Sequence, residues 1–158
     1  MQFIRSYYQN HYFSKRNKTK LTFGIPIKLK KFEEISIYYT HESKNKSIIP
    51  YLKTLLERFV PASKIQLIVP DFQKEQLNFW GFPKEEFLTS YNFQKNMLII
   101  DLNPEDLILK YLYSRMEQAF ILTIVNENKS FDHSNMVIKL KSNEEKDQLE
   151  SIFSQFFI

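Results

Sequence analysis

The stretch from residue 97 to residue 125 constrains the fold more than any other. It holds an apolar run at 97–102, a helical segment, and a second apolar run at Ala119–Val125. Residues 97–102 are apolar at every position but Asp101, on both faces, as a strand buried on both faces of a parallel sheet requires. Asn103 has the chemistry of an N-cap and Pro104 suits the first helical position. Glu105 and Asp106 set negative charge against the helix dipole. Ile108, Tyr111, Leu112 and Met116 recur at helical spacing and predict the buried stripe. Such a strand–helix–strand unit crosses over with a right hand in about 98% of cases.

The rest of the chain extends this pattern. Residues 34–40 predict a strand, followed by a helix capped by Ser47 with Pro50 in its first turn. Ile49, Leu52, Leu55, Leu56 and Phe59 form its stripe until Pro61. Residues 64–69 predict a second strand closed by Pro70 and Asp71, and residues 87–91 a short edge strand. Residues 136–141 predict a last strand near an edge. Ser142 and Glu145 have capping-box spacing before a helix striped by Leu149, Ile152, Phe153 and Phe156. Strands alternating with helices predict an α/β domain: three layers, Rossmann-like, with a mostly parallel sheet, preceded by a basic amino-terminal helix.

A chain of 158 residues is the size of one domain and can bury roughly 68–70% of its unfolded surface. With 43% hydrophobic and 25% charged residues it belongs among globular rather than disordered chains. No apolar run reaches the roughly 20 residues of a membrane span, so no integral membrane segment is expected. The amino terminus lacks the apolar core of a secretory signal. Cysteine is absent, which excludes disulfides and thiolate chemistry and fits a cytoplasmic protein. There are two glycines, Gly24 and Gly81, and neither a dinucleotide fingerprint nor a Walker loop can be built from them.

Charge divides the chain into a basic amphipathic leader, residues 1–31, and an α/β domain, residues 32–158. The leader carries eight cations (Arg5, Lys15, Arg16, Lys18, Lys20, Lys28, Lys30, Lys31) and no acid. With a net charge of +4 overall, the remainder carries −4. Phe3, Ile4, Tyr7, Tyr8, His11 and Tyr12 fall on one face of a short helix. This describes either an arm that docks on RNA, a membrane surface or a protein, or a helix packed on its own domain ahead of a solvated basic loop.

In open α/β sheets ligands bind beyond the carboxyl ends of the strands. Those ends offer Thr40, His41, Glu42, Asp71, Asp101, Asn103 and Asn126 as candidate pocket residues, or else as helix caps and wet loops. No catalytic residue is assigned. His11, His41 and His133 are far apart with no spaced carboxylate, so no metal site is expected, nor any cofactor. Asp132, His133 and Ser134 have the letters of a catalytic triad, but adjacent residues point in different directions. The aromatic cluster at 76–83 either stacks bases or sugars or packs its own loop onto the core.

The segment Asn78-Phe79-Trp80-Gly81-Phe82-Pro83, then Asn96-Met97-Leu98-Ile99-Ile100-Asp101-Leu102, then the passage from Tyr111 to Thr123, resembles a small Bacteroidota family built around a domain of unknown function. That resemblance implies a basic leader ahead of an α/β body and carries no activity with it. The strand Ile99-Ile100-Asp101-Leu102, the helix after it, and Ala119-Phe120 are distantly similar to the amino-terminal half of heptosyltransferase-like glycosyltransferases. This implies a Rossmann-like fold with an acceptor-side pocket.

Together these features favour a non-enzymatic binding module whose leader contacts RNA, the ribosome or another anionic partner, with a protein partner also open. One alternative is a glycosyltransferase-like or nucleotide-sugar enzyme, or its relic, using the carboxyl ends of the strands. The other is a membrane-peripheral protein held by the leader.

Overall fold

A computed structural model of the protein describes residues 26–129 and 131–158. Five strands form one sheet: β1 (Glu34–Tyr38), β2 (Ile65–Ile68), β3 (Met97–Asp101), β4 (Ala119–Val125) and β5 (Met136–Lys139). Their spatial order is β2-β1-β3-β4-β5 and every pairing is parallel. Three α-helices cover it: α1 (Ile49–Glu57), α2 (Leu107–Arg115) and α3 (Glu145–Phe156). The chain is therefore an α/β protein with a three-layer, doubly wound arrangement. The predicted amino-terminal helix lies outside the described residues.

Burial explains the order. Every residue of β3 and β4 is buried, whereas β2 and β5 expose half or more of theirs, as edge strands do. On one face Ile37, Ile100 and Leu122 meet Leu52 and Leu56 of α1 and Leu149 and Phe153 of α3. On the other, Ile99 and Ile121 meet Leu109 and Leu112 of α2 and two residues of the 72–93 segment, Phe82 and Leu88. The winding reverses direction between β1 and β3. The α1 and α2 crossovers therefore lie on opposite faces, as a constant hand demands.

Helix starts differ from the sequence expectation. Asn103 does not cap α2: a turn intervenes, in which Asp106 N–H donates to the Asn103 carbonyl. The helix begins at Leu107, and the Asp106 carboxylate caps it by accepting from Leu109 N–H at 2.8 Å. Ser47 likewise sits in a 3-10 turn (Lys46–Ile48) and makes no cap, although Pro50 is in the first turn of α1 as expected. Asn143 adopts φ 71°, the left-handed region, and this delays α3 to Glu145. The Ser142–Glu145 capping box is replaced by Gln148 Oε1, which accepts from Lys141 N–H at 2.7 Å.

Two connections lack an α-helix. Between β2 and β3 the chain covers the α2 face instead of forming the expected edge strand at 87–91. Glu85–Phe87 is a 3-10 turn, Leu88 is buried, and Phe82 stacks on Tyr111 at 4.6 Å. The aromatic cluster thus packs largely onto its own core, with Phe79 left exposed. Between β4 and β5 a short loop suffices because Met136 pairs with Leu122, so the chain returns only part-way along the strand. At the opposite end of the sheet Ile27 pairs with Phe157, and Leu29 N–H donates to the Ile158 carbonyl at 2.8 Å. Leu29 is completely buried, so the packed body already includes residues 27–31.

Candidate functional site

At the carboxyl end of the sheet, Asp101 closes β3 with a carboxylate wholly removed from solvent. Its Oδ1 accepts from Asn103 N–H at 3.0 Å, and its Oδ2 lies 3.0 Å from His133 Nε2. The Asn103 amide then donates to Thr40 Oγ1 at 2.7 Å, bridging the loops after β3 and β1 at the point where the winding reverses. Tyr113 of α2 stacks on the His133 ring at 5.8 Å and meets Tyr38 of β1 edge-on at 5.4 Å. Burial, reinforced by the Asp101 charge, pushes the Tyr113 hydroxyl well above its ordinary range. Beside this group Ser134 bonds Thr123, so the β4–β5 loop is fastened across the sheet at two points.

Above lies a cleft of about 250 Å³ formed by three loops. The loop after β1 contributes Glu42, Lys44 and Asn45. The loop after β3 contributes residues 102–105, and the loop after β4 contributes Asn126, Glu127 and Phe131. Ion pairs tie these loops together: Lys44 to Glu127 at 3.0 Å and Lys129 to Glu105 at 2.6 Å, while Lys129 also pairs with Glu127 of its own loop at 3.0 Å. Lys129, with Lys44, holds the Glu127 carboxyl below the usual carboxylate range. Burial raises the Asp106 carboxyl above that range. The Leu109 and Ile108 N–H groups oppose the shift, and the negative charges of Asp101 and Glu42 add to it.

Of the residues expected at the carboxyl ends, Glu42, Asn103 and Asn126 line the cleft. Thr40 and Asp101 lie in the hydrogen-bond chain linked to it through Asn103. His41 and Asp71 are exposed and do not line it. Sequence reasoning missed Lys44, Asn45, Glu105, Glu127 and Phe131 as lining residues, because only the folded register brings the three loops together. It also missed the His133–Asp101 pair, whose members are 32 residues apart. Asp132, His133 and Ser134 do not act as a unit, since His133 and Ser134 bond to different strands.

Among the described residues no group of three or more His, Asp or Glu side chains could hold a metal. No helix there is long and apolar enough to cross a membrane. Of the leader cations, Lys28, Lys30 and Lys31 are exposed, while Arg5, Lys15, Arg16, Lys18 and Lys20 lie outside the described residues. No protein-family model, curated protein or solved structure matches the chain significantly.

Proposed function

We propose that this chain is a cytoplasmic, non-enzymatic binding protein whose basic amino-terminal stretch contacts RNA, free or in the ribosome. The observation that carries this reading is the charge division: eight cations and no acid in residues 1–31, on a remainder of net charge −4. A polyphosphate backbone rewards such a stretch by releasing condensed counterions. The end of the stretch has a fixed base. Ile27, Leu29 and Phe32 are buried, so the alternation turns Lys28 and Lys30 outward, and Lys31 is exposed beside them. Lys64 adds a nearby cation by donating to the Phe32 carbonyl at 3.2 Å.

An enzyme using the carboxyl ends would need Asp101 or Asp71 presented to substrate. Asp101 is sealed beneath the surface with its oxygens engaged, and Asp71 stands outside the cleft. The binding reading therefore has more support than the glycosyltransferase-like one.

The test is RNA retention on a filter by the unaltered chain and by a variant with Arg5, Lys15, Arg16, Lys18 and Lys20 all changed to glutamine. The unaltered chain is expected to retain RNA at low salt, and the variant to lose at least about tenfold in affinity, given the steep dependence on phosphate contacts. Equal retention by both would overturn the proposal.

A further inference from the structure

We infer that the outer side of α2 is the docking surface for this chain's own amino-terminal stripe, Phe3, Ile4, Tyr7, Tyr8, His11 and Tyr12. Leu109, Leu112 and Tyr113 of α2, with Met116 just beyond it, belong to the core on that face of the sheet. At helical spacing the opposite side carries Leu107, Lys110, Tyr111 and Ser114, positions i, i+3, i+4 and i+7. The outer side of a helix in a three-layer domain normally faces water. The other two helices follow that rule: α1 exposes Pro50, Thr54 and Glu57, and α3 exposes Lys146, Asp147, Ser151, Ser154 and Gln155. α2 does not. Leu107, Ile108, Leu109, Tyr111, Leu112 and Tyr113 make six of its nine residues apolar, and none of the nine is exposed. A helix that is apolar all round is a buried helix.

The 72–93 connection accounts for one flank. Phe82 stacks on Tyr111, while Arg115 pairs with Glu85 and lies over the Phe93 ring at 4.9 Å. The flank away from that connection needs a cover of its own, and the other two helices pack on the opposite face of the sheet.

The amino-terminal stripe fits that role by reach, shape and charge. Twenty-five residues precede the described span, which starts at the amino end of the sheet, the end where α2 also finishes. Residues 13–25, extended at about 3.3 Å each, reach about 40 Å, enough to cross a domain whose radius of gyration is about 14 Å. The stripe presents six apolar or aromatic side chains on one helical face, and such a face needs an apolar partner. Phe79 and Phe87, exposed on the neighbouring connection, widen the apolar ground. Glu86 on that connection and Glu117 just past α2 are exposed acids beside it, whereas residues 1–25 hold five cations and no acid. Arg5, Lys15, Arg16, Lys18 and Lys20 lie off the stripe, so docking leaves them available and the inference does not rest on the RNA reading.

The chain has no cysteine, so two introduced ones can be spin-labelled specifically in the full protein. Ser6→Cys, off the stripe, is paired with Glu117→Cys beside α2 and, separately, with Ser154→Cys on α3 across the sheet. Dipolar spectroscopy in the absence of RNA is expected to give a narrow distance distribution for each pair, the Glu117 pair being the shorter. Tyr7→Ser combined with Tyr8→Ser should abolish the narrow component, and so should Leu107→Asp. The latter keeps the helix, because an acid at the first helical position meets the dipole favourably. A broad distribution for the Glu117 pair with the stripe unaltered, a shorter distance to Ser154, or variants that leave the distributions unchanged would overturn the inference. A narrow distance found only between singly labelled molecules would overturn it too, by assigning the cover to a second copy. Should a variant fail to fold, the two label pairs on the unaltered stripe decide alone.

Discussion

Asp101 is the one acidic or basic residue among the described residues that is fully buried. A carboxylate at 0% exposure is tolerated only where donors replace its lost water, and it takes one from Asn103 N–H and a second from His133. Removing one partner of such a pair leaves the other uncompensated. His133→Ala is therefore expected to cost about 3 kcal/mol in urea unfolding, within the range for broken buried pairs. Asp101→Asn should cost less, because its amide oxygen still accepts from Asn103 N–H. A loss under about 0.5 kcal/mol in His133→Ala, typical of surface changes, would show that the pair does not hold the loop. The sequence marks Asp101 and Asn103 by their position at a strand end. It cannot show that they turn toward His133 and Thr40, because those hydrogen bonds join residues 32 and 63 positions away.

The start of α2 shows what local pattern can and cannot settle. β4 matches its expected span from Ala119 to Val125, because seven consecutive apolar or small residues admit one register in a buried strand. The helix starts several residues later than its pattern predicts, because Asn103, Pro104, Glu105 and Asp106 each have start chemistry and only the tertiary turn selects Asp106. That selection has a pH consequence. Burial raises the Asp106 carboxyl in the folded state, so the folded protein holds this proton more tightly than the unfolded chain. The Asp106 contribution is thus most favourable below its unfolded value and declines as pH rises through the raised folded value. An asparagine side chain at this position would cap equally well without ionising. Measured from about pH 3 to pH 7, the stability of Asp106→Asn relative to the unaltered protein should rise. A difference that stays flat, or falls, would contradict the assigned shift. The β2–β3 connection is the least legible, because its order comes from tertiary stacking such as Phe82 on Tyr111 rather than from periodicity.

At the scale of the whole molecule, five parallel strands give the protein two chemically different ends. The amino end receives residues 27–31, the last of the basic stretch, clamped by Ile27 against Phe157 and by Leu29 against Ile158. The carboxyl end gathers the three-loop cleft and the sealed Asp101 group. Alternating strands and helices make the layering readable from the sequence, and counting charges makes the division between leader and body readable. The cleft is not readable, because its walls come from three loops separated by dozens of residues. The central claim is that residues 1–31 bind RNA through its phosphates, and the most direct measurement is the dependence of RNA affinity on salt. With about six to eight phosphate contacts on single-stranded RNA, log K should fall against log salt with a slope of about −4 to −6. Changing Lys28, Lys30 and Lys31 together to glutamate should make that slope shallower by about two, since each lost contact removes roughly 0.7. A slope near zero, or one that the triple variant leaves unchanged, would contradict the account.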